Sequence, residues 1–196
     1  MLKIISRLLF TIFFLAYPAI LCAEQDNYQL NLACFKGEIS CVEKLLTDGV
    51  DLNAADIYGY RPLTLAIMPG HYEIAKMLLA NKANPNAIDK SGRAPLMIAV
   101  ANKYIQIIEL LLLNQADPDI CNKSGFTSLV FAAINGDIRI IRMLLKYGAN
   151  PHLVDEYGNT ALDYATEYKN TKAVKILSEH MMYAPIMATE LIHLSS

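Results

Sequence analysis

Cysteine and histidine are the side chains here that could ligate a metal, attack a carbonyl or close a bridge, and their spacing limits each chemistry. His71, His152, His180 and His193 fall at no metal-ligand spacing. Cys121 has no base with a claim to sit beside it, and its place just before Asn122 suits a small packing residue. The glycines are spaced for turns and form no phosphate-cradling motif. Asn122-Lys123-Ser124 matches a glycosylation acceptor, which matters only if a eukaryotic secretory route made the chain. The sequence therefore predicts no catalytic residue, no metal site and no cofactor.

The elements that must position these residues recur every 33 residues. Gly59, Gly92, Gly125 and Gly158 keep that step, as do Leu63, Leu96, Leu129 and Leu162. So do Ala66, Ala99, Ala132 and Ala165, and Leu78, Leu111, Leu144 and Leu177. A fixed period without insertion is the mark of a repeat array. In the unit from residue 56, Asp56-Ile57-Tyr58-Gly59 reads as a turn and Pro62 opens a short helix. Leu63, Ala66 and Ile67 share one face of that helix. After Gly70-His71 a second helix is expected over 72–80, with apolar residues on too many sides for a single stripe. Neighbouring copies must cover it.

These columns predict an all-α repeat solenoid of about five helix-turn-helix units joined by β-hairpin loops, with polar caps. The units are 24–55, 56–88, 89–121, 122–154 and 155–181, and 182–196 is a tail or capping helix. The first unit has Asp26 where later ones have the turn glycine, and Lys44 where they have Met77, Leu110, Met143 and Ile176. Cys34 and Cys41 both face the seam between the first unit's helices. A disulfide and two small buried thiols fit that placement equally.

Residues 1–23 read as a signal peptide: Lys3 and Arg7 precede an apolar run over 8–21, and Ala23 precedes Glu24-Gln25-Asp26. The run is shorter than the ~18–20 residues of a comfortable membrane span. An uncleaved anchor is the alternative, and a lipidated Cys22 is disfavoured by Leu21 before it. Loss of Lys3 and Arg7 with the leader takes the net charge from −2 to −4. A mildly acidic chain lacks the positive field that phosphate binding needs, so no nucleic-acid partner is expected. The expected location is periplasmic or secreted, with bacterial export favoured.

The units resemble ankyrin repeats. The resemblance rests on Gly59 with Arg61-Pro62-Leu63-Thr64, on Gly92 with Ala94-Pro95-Leu96-Met97, on Thr127-Ser128-Leu129-Val130 and on Thr160-Ala161-Leu162-Asp163. Gly70-His71 and Gly148-Ala149-Asn150-Pro151 support it. The family histidine of the first helix is replaced by Thr64, Met97, Val130 and Asp163, so the loop ties it makes must be different here. Lys103 and Lys169 stand where the inter-helix glycine is expected. The resemblance implies a monomeric, non-enzymatic scaffold that binds a protein through hairpin tips and the ends of the first helices. Carried over, its contact positions are Ile57, Tyr58, Tyr60, Met68 and Pro69, then Lys90, Ser91, Arg93, Ala101 and Asn102. They continue with Lys123, Ser124, Phe126, Ile134 and Asn135, then Glu156, Tyr157, Asn159, Glu167 and Tyr168. Tyr58, Tyr60, Arg93, Phe126, Tyr157 and Tyr168 are the expected partner-binding residues, because aromatics and arginine bury much area for little entropy. On this reading Tyr60 and Phe126 could both become Ala with little change in thermal stability.

Overall fold

Five of the described helices begin at an N-terminal device, a proline or a capping side chain, whereas the second helices of the first three units begin without one. The computed structural model describes residues 25–193, with side chains as far as Met182. The expected leader and Cys22 lie outside the described residues. Helix α1 covers 25–36, and α2 is Ile39–Thr47. Then come α3, Pro62–Ile67, and α4, Tyr72–Ala80, followed by α5, Pro95–Ala101, and α6, Ile105–Leu113. The last pairs are α7, Ser128–Asn135, with α8, Ile138–Lys146, and α9, Ala161–Glu167, with α10, Thr171–His193. Proline at the first helical position starts α3 and α5, where its missing N–H costs nothing. Thr160 starts α9 with a reciprocal cap: its hydroxyl accepts from Asp163 N at 3.3 Å, and its own N–H donates to Asp163 Oδ2 at 2.8 Å. No strand occurs among the described residues, so the predicted hairpins are tight turns rather than ladders.

First helices of six to eight residues are too short to persist alone in water. They are held by stacking: α3 packs on α5, α5 on α7 and α7 on α9, while α2 meets α4, α4 meets α6 and α8 meets α10. Ala66, Ala99, Ala132 and Ala165 are all fully buried, and so are Leu78, Leu111, Leu144 and Leu177. The alanine column lets first helices approach closely; the leucine column fills the space between layers. One core cluster runs from Leu30 to Leu177.

Both ends differ from expectation. Lys44 is exposed, as a cap residue should be. Tyr28, Phe35 and Ile39 are open too, so the first unit is not a uniformly polar cap: α1 buries Leu30, Ala33 and Cys34 against the core and leaves its other face exposed. Asp26 lies inside α1 and not in a turn. The tail is not a separate element, since α10 continues the last unit's second helix through Pro185 to His193.

Adjacent units are tied by Asn and Asp side chains in the loops between helix pairs. Asn53 Oδ1 accepts from Asn84 N at 3.0 Å, Asn86 Oδ1 from Asp117 N at 2.8 Å and Asp119 Oδ1 from Asn150 N at 2.8 Å. Thr64, Met97 and Val130, at the place of the family histidine, are buried. His71 also links units, with Nε2 3.1 Å from Phe35 O.

Lys103 and Lys169 take the left-handed backbone of the glycines they replace, with φ of 59° and 57°. Elsewhere in this column an added β-carbon would collide with the next unit: at Gly37 with His71 (2.7 Å), and at Gly136 with Asn170 (2.6 Å). After Lys103 the next unit brings Asp137, whose carboxylate turns to its own helix and accepts from Arg139 N and Ile140 N, whereas Asn170 reaches back to Ala133 O and Ile134 O; no described unit follows Lys169. Positive φ still costs a side-chain-bearing residue ~1 kcal/mol or more. Lys103→Gly is expected to stabilise the chain by about 0.5–1 kcal/mol after the unfolded-state entropy of glycine is counted. Urea unfolding at fixed m-value measures this.

Candidate partner-binding surface

Each turn is built around one acidic or amide side chain. Asp56 Oδ1 accepts from Tyr58 N and Tyr60 N at 2.9 and 2.8 Å. Asp89, Asn122 and Asp155 do the same for Ser91 and Arg93, for Ser124 and Phe126, and for Tyr157 and Asn159. Neighbouring tips are joined by backbone bonds: Lys90 N donates to Tyr58 O, Lys123 N to Ser91 O and Glu156 N to Ser124 O, at 3.2–3.4 Å. Gly125, at φ +82°, lies so close to the next tip that a β-carbon would be 2.7 Å from Asp155 Cα. The four tips thus form one continuous, internally bonded row.

The six expected contact residues divide into two groups. Tyr58, Tyr157 and Tyr168 are 62%, 75% and 54% exposed, and no hydroxyl of theirs has a hydrogen-bond partner among the described residues. Tyr60, Arg93 and Phe126 are half-buried and committed to contacts within the fold. Arg93 Nη2 donates to Tyr60 Oη at 2.9 Å and Arg93 Nε to Asp89 Oδ2 at 2.8 Å, so Arg93 ties two units. Phe126 packs edge-on against Phe131 and Tyr164, with ring centroids 5.9 and 5.2 Å away. Tyr60 and Phe126 both lie against the core. This corrects the expectation that their loss would leave stability unchanged. Removing both deletes half-buried aromatic area and takes from Arg93 its partner on the neighbouring unit, leaving it only the bond to Asp89.

Of the other carried-over positions, Met68 and Ile134 are half-buried, whereas Pro69, Ala101, Asn102, Asn135 and Glu167 are exposed. Ile57 is 75% exposed. Sequence reasoning passed over one column, the residue just before each turn: Ala55, Ile88, Cys121 and Val154 are all exposed. Its signal was available, since apolar residues recur at a position with no partner in the helix pattern. Cys121 is correspondingly not the packing residue expected.

All three described cysteines are free thiols. Burial, with a smaller effect from Cys41, pushes the Cys34 thiol up to about 12, which keeps it protonated and unreactive. Asn122 Oδ1 accepts both turn bonds, so Nδ2, the atom a glycan would join, takes no part in them.

Tyr164 donates its hydroxyl to Asp155 Oδ2. Burial alone would raise the Asp155 carboxyl, but the Tyr164 hydroxyl and the N–H groups of Asn159 and Tyr157 outweigh it and hold it below the usual range. A carboxylate depressed in the folded state stabilises above its unfolded value and loses that contribution as pH falls through the folded one. Asp155→Asn keeps the turn bonds at Oδ1, as Asn122 does naturally, and removes the charge together with the Oδ2 acceptor of the Tyr164 hydroxyl. The thermal midpoint of the native chain should therefore exceed that of the variant at pH 7, and the gap should close in acid, below about pH 4.

The profile for ankyrin repeats (3 copies) matches residues 9–89, 30–120 and 96–188. The chain belongs to the ankyrin repeat family, whose members are in general protein–protein interaction modules and typically lack enzymatic activity. No curated protein matches the chain.

Proposed function

We propose that this is an exported scaffold that captures a partner protein through its row of turn tips and the adjoining ends of the first helices. The observation that carries the reading is that Tyr58 and Tyr157 on the turn row, and Tyr168 at the end of α9, stand open with no hydroxyl partner among the described residues. Large aromatics held rigidly and left unused by the fold are suited to be interface anchors. Ile57, Ile88 and Val154 widen the apolar area around them. Export rests on Lys3, Arg7 and the apolar run over 8–21, and the mass of the mature N-terminus distinguishes cleavage from an anchored form.

The test is a triple variant, Tyr58→Ala with Tyr157→Ala and Tyr168→Ala, expressed in the native cell and compared by quantitative co-purification. Recovery of the partner should fall at least about tenfold, because anchors of this kind carry ~2 kcal/mol or more each. The thermal midpoint should stay within a degree or two, since all three side chains are exposed. Undiminished recovery would remove this surface as the binding site.

A further inference from the structure

The second helices carry a charge pattern that the turn surface does not use. Three exposed columns run along them, at 40, 73, 106, 139 and 172, at 43, 76, 109, 142 and 175, and at 47, 80, 113, 146 and 179. In the first three units these columns hold Glu43, Glu73 and Glu109 against a single Lys76. In the last two they hold Arg139, Arg142, Lys146, Lys172 and Lys175 against a single Glu179. The sign reverses between α6 and α8 although the fold does not change. Of the five bases only Lys175 has an ion-pair partner among the described residues, Glu179 at 3.9 Å. A chain that is acidic overall has thus gathered unpaired positive charge on one face.

Between α8 and α10 that face is grooved. Arg142, Lys146, Glu179 and His180 form the walls, and Leu145 and Ile176 lie along it. The groove is shallow and open to solvent, with a volume of about 460 Å³, more than a lone ion needs and accessible to side chains of an extended segment. Leu145 is 8% exposed, so the apolar strip is recessed below the charges. A lipid surface needs the reverse, apolar groups projecting past the basic ones into the acyl boundary.

We propose that the α8–α10 face is a second docking site, for an acidic protein segment with an apolar residue between its carboxylates. The apolar side chain enters the strip of Leu145 and Ile176, and the carboxylates meet Arg142, Lys146 and Arg139. Arginine offers a two-pronged match to carboxylate, and the unpaired charges steer the segment in. The site is independent of the turn tips and can be occupied while they hold another protein.

The test uses the full chain and a fluorescein-labelled octapeptide of six glutamates and two leucines, read by anisotropy. Saturable binding is expected, weakening about tenfold between low and physiological salt as screening grows. Arg142→Glu with Lys146→Glu should weaken it by at least about tenfold, and Arg142→Gln with Lys146→Gln by less. Tyr58→Ala with Tyr157→Ala should leave it unchanged, which separates failure of this site from failure of the turn surface. No saturable peptide binding, or binding indifferent to both double variants, overturns the proposal. So does flotation with phosphatidylglycerol vesicles, absent with phosphatidylcholine, that the charge-reversed chain no longer shows.

Discussion

Leu111→Ala is expected to destabilise the chain by about 2–5 kcal/mol and to lower its thermal midpoint by roughly 10 °C. Leu111 is fully buried on α6, in the middle unit, where the stack covers it on both sides. Truncation loses the transfer energy of the buried side chain and leaves a cavity, and both terms count. Leu113, two residues on and 65% exposed, provides the comparison. Leu113→Ala should change stability by no more than about 0.5 kcal/mol. Because an array of this kind is stabilised unit by unit across its interfaces, the middle cavity should also broaden the unfolding transition, letting flanking units melt separately. Urea unfolding followed by far-ultraviolet circular dichroism checks both the midpoint and the breadth.

The second large effect concerns the turn row. Gly125→Ala combines two penalties: a β-carbon at φ +82° and a contact at 2.7 Å with the backbone of Asp155. Backbone cannot rotate away as a flexible side chain can, so the two tips must separate. We expect a loss of about 2–3 kcal/mol. Gly158 has the same φ of +82° but nothing within 4 Å of the added carbon, and Gly158→Ala should cost only the dihedral penalty of about 1 kcal/mol. The difference between the two measures the tip-to-tip stacking alone. Equal costs at the two glycines would mean that the tips do not stack.

The period made the array legible before any helix was considered. Alanine and leucine columns must be buried because only like neighbours can cover them, and every member of both columns is. The departures were legible as departures, but their reasons were not. Lys103 stands before an Asp137 that caps its own helix rather than reaching back across the units, a fact about the following unit rather than about Lys103. Loss of the family histidine was visible, yet the ladder from Asn53, Asn86 and Asp119 depends on side-chain reach between units some thirty residues apart. The contact columns identified which positions the helix pattern leaves free. They could not separate Tyr157, which points to solvent, from Phe126, which lies against Phe131 and Tyr164. The exposed column of Ile88 and Val154 was missed because apolar residues beside a turn read as packing until their neighbours are known.

Partner capture at the turn tips can be tested most directly by placing a photo-reactive amino acid at Tyr157, at Tyr58 and, for comparison, at Glu109 on α6, each in a separate full-length chain in its native cell. Tyr157 and Tyr58 should each give a discrete protein adduct on irradiation, and the same partner should appear in both, while Glu109 gives none. An adduct at Glu109 with none at either tyrosine would contradict the account.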